Sequence, residues 1–189
     1  TLIERTQWWG RQMLIYGVHV HVGIESRDKV LPIWRAMLTM FGHIQSLSAS
    51  SPYWAGHDTG YASNRALMFQ QLPTAGLGWQ FEEWSQLERY VEDMVHTGVI
   101  EQFNEVRWDI RPSPGLGTLE MRIADGAANL LEVRAISAFT HCLVEHFSSM
   151  IDAGQAPPTL PAWFVQENKW RSARYGMDAI LILDRERDE

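Results

Sequence analysis

The sequence is short of several features that would place it quickly. It holds one cysteine, Cys142, so no intrachain disulfide framework can form and a reducing, cytoplasmic compartment is the simplest expectation. Cys142 stands in an apolar helical run and reads as a small buried hydrophobe. No apolar run approaches the roughly 20 residues that span a bilayer. The opening TLIERTQWWG has neither a basic n-region nor an apolar h-region, which argues against a signal peptide. Positive charge is not in excess either: 16 basic against 23 acidic side chains leave a net charge of −7. That balance argues against nucleic acid or an anionic membrane as a general partner, although local arginine clusters can still bind an anion. Repeats and low-complexity tracts are absent. So is an initiator methionine, and Thr1 stands in what reads as the end of a helix, so the expectation is a part of a longer protein.

Against these absences stands YGVHVHVG at 16–23, where Val18, Val20 and Val22 alternate with His19 and His21 between Gly17 and Gly23. Period two with β-branched residues predicts a half-buried strand whose histidines share the other face. Their Cα atoms would lie roughly 6.5–7 Å apart. A metal or phosphate contact by one of them competes with a plain solvent-facing strand edge.

Further along, Ser26 can cap a helix running to about Leu47, with Val30, Trp34, Met37, Phe41 and Ile44 as its core stripe and His43 a structural neighbour. SSPYWAGHDTGYA at 50–62 is a loop dense in turn residues and aromatics, and such loops are often functional. A helix from Glu82 to Thr97 carries Trp84, Leu87, Val91 and Met94 inward and its acids outward. Glu105 to Arg111 and Thr118 to Ile123 read as strands joined by PSPGLG. A second long helix, with Val133, Ile136, Leu143, Phe147 and Met150 on one stripe and Ala135, Phe139, Cys142 and His146 on another, reads as buried, with His146 a core histidine. After the Pro-rich DAGQAPPTLPAW come a short helix around ENKWRSARYG, a strand-like AILIL and the charged end DRERDE. The fold class expected is α+β, with antiparallel strands backed by helices and a polar strand face forming the site.

The two strands EVRWDIRPS and GTLEMRIAD carry the sharpest signal, because each sets charges at period two in a stretch otherwise suited to burial. Glu120 and Arg122 share one face, as do Asp109 and Arg111. A structural ion network is one reading. Two histidines, a glutamate and several arginines on strands or in Gly-rich loops also fit a metal and phosphate site.

GVHVHVG at 17–23, SPYWAGHDTGYASNR at 51–65, LPTAG at 72–76, DIRPSPGLGTLEMRIAD at 109–125 and ENKWRSARYGMDA at 167–179 together resemble the type 2 glutamate–cysteine ligases, or carboxylate–amine ligases, of the glutamine synthetase-like fold. The pieces occur in the family's order and span nearly the whole chain. The resemblance implies a curved antiparallel sheet and an ATP-dependent, magnesium-dependent ligase of thiol biosynthesis. In that reaction the side-chain carboxylate of glutamate is phosphorylated and an amine, typically that of cysteine, displaces phosphate. It implies His19 and Glu120 as metal ligands and His21 and Arg111 as contacts to ATP phosphate. Arg122 would hold substrate or phosphate and, with Arg111, serve catalysis; Arg65 would grip the substrate carboxylate. Arg171 and Arg174 are left between support and contact, and Trp54 and Tyr61 are candidates for the amine pocket.

One departure bears on all of this. Family members carry a Gly-x-Glu-x-Glu strand ahead of the histidine strand; here the nearest string, Gly23-Ile24-Glu25, lies after it and matches poorly. The expectation is therefore one partial catalytic domain over 1–189, without the N-terminal acidic strand and the C-terminal end, and inactive by itself. Exposed sheet edges in such a piece could favour homo-oligomers. The rival from another class is a non-catalytic homologue that binds a metal or an amino acid without turnover; a metal-dependent hydrolase would need similar ions but no ATP.

Overall fold

Two short helices, α1 (Leu2–Thr6) and α2 (Trp8–Arg11), lead into strand β1 (Val20–Gly23) in the computed structural model, which describes residues 2–184. The valine–histidine alternation sorts as expected: Val20 and Val22 are buried, His19 and His21 face out. Ser26 caps α3 (Arg27–Thr39), its hydroxyl accepting from the Asp28 N–H at 3.4 Å. The single helix expected to Leu47 is two, because the chain breaks at Met40 and restarts as α4 (Phe41–Ser48). Thr39 Oγ1 donates to the Ala36 carbonyl at 2.7 Å and the Met40 N–H closes a tighter turn onto Met37. The hydrophobic stripe survives the bend, since Trp34, Met37, Phe41 and Ile44 are all buried.

The aromatic loop holds a small hairpin of β2 (Tyr53–Trp54) and β3 (His57–Asp58), followed by α5 (Asn64–Phe69). Helix α6 (Trp84–His96) starts with a reciprocal Glu83–Gln86 cap and turns Leu87 inward. Strands β4 (Ile110–Ser113) and β5 (Thr118–Met121) form the expected hairpin, and β5 is central in the order β1-β5-β4. The strand expected from Glu105 starts only at Ile110. Phe103–Glu105 winds into a 3-10 turn, and the Asp109 N–H bonds the Gly76 carbonyl at 2.8 Å instead of a sheet neighbour.

Helix α7 (Leu130–Asp152) corrects an expectation. It is not buried: only Thr140, Val144 and Phe147 are, while Leu130 and Leu131 are each 75% exposed. It packs by one face on α3, α4 and β1, which leaves Cys142 and His146 exposed rather than in the core. Helix α8 (Ala162–Tyr175) is longer than expected, and AILIL is not a strand. The backbone there bonds a side chain: Asn168 donates to the Ile182 carbonyl at 2.8 Å and accepts from its N–H at 2.7 Å. Of DRERDE, residues 185–189 lie outside the described residues, as does Thr1.

Helix α3 backs the sheet through Trp34, which stacks on Trp108 at 5.3 Å and donates from Nε1 to the Ile110 carbonyl at 2.9 Å. This α+β arrangement of helices and small antiparallel sheets fixes the outward face of β1, β5 and β4 against a rigid base. No helix among the described residues is long and apolar enough to cross a membrane.

Candidate functional site

The register of the sheet sets His21, Glu120 and Arg111 in one row across three strands. Glu120 is the centre of that row and is 2% exposed. Its Oε2 accepts from Arg111 Nε at 2.7 Å and its Oε1 from Arg122 Nη1 at 2.6 Å. His19 Nδ1 and His21 Nε2 lie 3.3 and 3.5 Å from the same Oε1. Burial by itself would raise the Glu120 pKa, but the hydrogen bonds from His19 and Arg111 and the charges of both arginines outweigh it. The carboxyl is held well below the usual range. It is an anion throughout the physiological range.

Each donor is itself positioned. Arg111 Nη1 donates to the carbonyls of Asn104, at 2.8 Å, and Val106, so the turn before β4 holds the guanidinium in place. His21 Nδ1 lies 2.9 Å from Thr118 Oγ1. Arg122 Nε is buried and without a partner, which leaves one donor of that fork unused. A cleft of about 610 Å³ opens beside the row, lined by His21, Arg111 and Glu120 with Phe103, Pro112 and Leu116 on its apolar side.

Arg65 stands apart from the carboxylate. It is 6% exposed and donates from Nη1 to the Ile123 carbonyl at 3.1 Å and from Nη2 to the Arg122 carbonyl at 3.2 Å. Burial lowers its pKa and its Nε has no partner. The Phe69 ring lies 5.8 Å from each of the two guanidiniums. Arg65 lines a second, smaller cleft of about 240 Å³ with Tyr16, Ser51, Trp54 and Asn64. Gly17 is required there, because a Cβ on it would collide with the Arg65 guanidinium. Tyr61 lies outside this cleft, under the Arg174 guanidinium at 5.7 Å. Arg174 also donates to the Gly60 carbonyl, and Arg171 bonds Glu167 at 2.8 Å and the Ile180 carbonyl at 3.0 Å, so both support the fold around α8.

Among the buried charges that escaped the sequence reading are Asp125 and Lys169. Asp125 accepts from the Ser50 N–H, Ser51 Oγ and Ser63 Oγ at 2.9, 2.7 and 2.9 Å. Lys169 pairs with Asp109 at 2.5 Å. A signal for Lys169 existed, since it falls on the α8 stripe Phe164, Val165, Asn168, Ser172 that is buried throughout. Asp125 had only its place at the end of a strand and the serines of a distant loop.

As a metal site the row is partial. Among the described residues no three His, Cys, Asp or Glu side chains converge as ligands. Magnesium prefers an octahedron of oxygens. Glu120 offers oxygens and His19 only an imidazole nitrogen, and both Glu120 oxygens accept from arginine. The cationic groups, by contrast, suit an anion without change.

The sequence pattern of glutamate-cysteine ligase family 2 matches residues 1–189, and the chain belongs to that family. A protein of Paenarthrobacter aurescens (strain TC1), named provisionally as glutamate–cysteine ligase 2-2, is 69% identical over 188 residues, which are 100% of this chain and 49% of that protein. Similarly named proteins of Arthrobacter sp. (strain FB24) and Mycobacterium tuberculosis (strain ATCC 25177 / H37Ra) are 65% and 61% identical, again over the whole chain and 49% and 50% of theirs. The chain spans about half the length of the curated relatives it matches.

Proposed function

We propose that this chain carries part of the active site of an ATP-dependent carboxylate–amine ligase that joins glutamate to cysteine through an acyl phosphate. The observation that carries the reading is the convergence of His19, His21, Arg111 and Arg122 on the Glu120 carboxylate beside a cleft. Two guanidiniums against one carboxylate leave a positive face, which suits a phosphoryl or acyl-phosphate group.

In this reading the side-chain carboxylate oxygen of glutamate bonds to the γ-phosphorus of ATP while ADP departs. The cysteine amine then bonds to the carbonyl carbon, phosphate leaves, and the nitrogen loses a proton. Arg111 and Arg122 hold the charge that shifts between these oxygens, with Glu120 fixing both guanidiniums before the ligand arrives. His21, anchored by Thr118, faces the phosphate. Arg65, buried and short of an acceptor, takes the substrate carboxylate in its own cleft, with Trp54 on the wall. A magnesium ion, held by His19 and Glu120, would supply charge neutralisation at the phosphate oxygens.

The domain belongs, in this proposal, to a glutamine synthetase-like fold of a cytoplasmic enzyme, completed by an acidic strand from outside the 189 residues. With two ligands for an ion that dehydrates reluctantly, the isolated chain turns over nothing. Phosphate release and mass detection of γ-glutamylcysteine test both points, using the longest native reading frame, this chain and a His19→Ala/Glu120→Ala control. Product from the long protein that needs ATP, glutamate and cysteine together is expected. ATP-independent cleavage or no turnover by the long protein refutes the ligase reading, and turnover by the short chain above the control refutes the partial site.

A further inference from the structure

Among the described residues the wall of the small cleft carries a single cation, Arg65, and no carboxylate. Arg65 Nη1 and Nη2 each hold a backbone carbonyl, and a guanidinium has five N–H bonds, so donors remain for a ligand carboxylate. Two buried carboxylates act on that cation: the charges of Asp125 and Asp109 favour it, against the larger effect of its burial. A ligand end that brought only a carboxylate would meet a cation already shared with two anions. One that brought an ammonium beside the carboxylate would leave the charge of the region unchanged.

The rest of the wall suits that ammonium. Asn64 lines the cleft beside Arg65, its N–H fixed on the Ser51 carbonyl at 3.0 Å while the Arg65 N–H donates to Ser51 Oγ at 3.0 Å. The backbone of both residues is thus tied to one loop residue. The Asn64 side chain is half-buried, and among the described residues its carboxamide has no hydrogen-bond partner. Ser51 Oγ is already spent on Asp125 and on Arg65. Ser50 Oγ donates to the Gly126 carbonyl at 2.8 Å and keeps its acceptor capacity. Tyr53 and Trp54 add aromatic rings, whose faces attract a cation. We propose that Asn64 is the specificity-determining residue of this cleft: its Oδ1 accepts from the α-ammonium of an amino acid whose α-carboxylate lies on Arg65, which selects a zwitterionic end over a bare carboxylate. In the ligase reading that end is the α end of glutamate, and the side-chain carboxylate stays free to be phosphorylated. Only this last step rests on the ligase reading; the preference for an amino acid does not.

The test uses the full-length protein with magnesium and a non-hydrolysable ATP analogue. It compares glutamate with glutarate, the same diacid without the ammonium. Calorimetric titration of the wild type should give a Kd for glutamate roughly 10- to 100-fold below that for glutarate. Asn64→Leu should weaken glutamate roughly tenfold and leave glutarate within about twofold, so that the preference collapses. Asn64→Asp sets an anion beside Arg65; it should hold glutamate within about threefold and weaken glutarate roughly tenfold, and it carries the test if Asn64→Leu does not fold. A merely structural role would move both ligands together. Equal losses for the two ligands in the folded variants, or a wild type that binds them alike or binds neither, overturns the proposal. A preference that collapses in Asn64→Leu, in a protein whose wild type shows no ligase turnover, would leave the amino-acid site standing and sink the ligase reading instead.

Discussion

Glu120 and Asp125 lie on the same short stretch of chain and are 2% and 1% exposed, yet they are held in opposite ways. Asp125 is met by one backbone N–H and two serine hydroxyls, short neutral donors from the loop and helix start around residues 50–63. Glu120 is met by two long guanidiniums and two imidazoles at the mouth of a cleft. A carboxylate satisfied by neutral donors leaves nothing for a ligand and ties chain segments together. One satisfied by cations assembles positive charge that an anion can share. Burial is the same in both; the donors tell a pin from a site.

Breaking Glu120 should therefore have the largest effect, and it should be kinetic. In the full-length protein Glu120→Ala is expected to lower the rate of phosphate release by roughly 10²- to 10³-fold, because two guanidiniums lose the group that orders them. His19→Ala should do the same to a smaller degree. Thermal melts should move by only a few degrees, since Arg111 keeps the Asn104 and Val106 carbonyls as acceptors. Equal loss of stability and of rate would return the row to a structural ion network.

Breaking Asp125 should invert that pattern. Asp125→Ala leaves the Ser50 N–H, Ser51 and Ser63 without their acceptor, and a cost of about 2–4 kcal/mol in urea unfolding is expected. The rate per folded molecule should stay within severalfold of wild type. A large kinetic loss without destabilisation would move Asp125 into the site and erase the contrast.

The arginines divide the same face more finely. Arg65→Lys should chiefly raise the glutamate KM, about tenfold, because a point charge replaces a fork in the small cleft. Arg111→Lys should chiefly lower kcat or impair ATP use, because its Nε bond to Glu120 is lost. Matching kinetic profiles for the two variants would leave the division of roles without support.

The Glu120 side of this comparison was legible in sequence and the Asp125 side was not. Period two in VHVHV and in TLEMR places side chains on a face whatever the neighbours do, so His19 could be paired with His21 and Glu120 with Arg122 before any fold was known. Joining the two pairs in one site rested on the family resemblance. Asp125 gains its meaning from serines far away in the chain, which no local period encodes. Helix α7 failed for a related reason. Its apolar girth reads as burial, but exposure depends on what packs there, and among the described residues only one face is covered. AILIL had strand composition, yet Asn168 meets its backbone in place of a strand. Local pattern fixes a side chain's direction; its partner is a tertiary fact.

Acid should sharpen the contrast by the smallest margin. Burial alone would raise the Glu120 pKa, and the donors from His19 and Arg111 with the arginine charges reverse it, so the folded value lies below the unfolded value of about 4.3. A carboxylate depressed on folding stabilises the protein fully above its unfolded pKa and loses that contribution as pH falls through the folded one. The gap in melting temperature between wild type and Glu120→Gln should accordingly hold steady from about pH 7 to pH 5 and narrow below about pH 4. Solvent in the cleft screens the arginines and blunts the effect, so the acid unfolding midpoint should shift by roughly half a pH unit. Melts at stepped pH would show it. A gap that fails to narrow in acid would mean that the cations do not sustain the Glu120 anion, and the distinction between the two carboxylates would then rest on shape and not on charge.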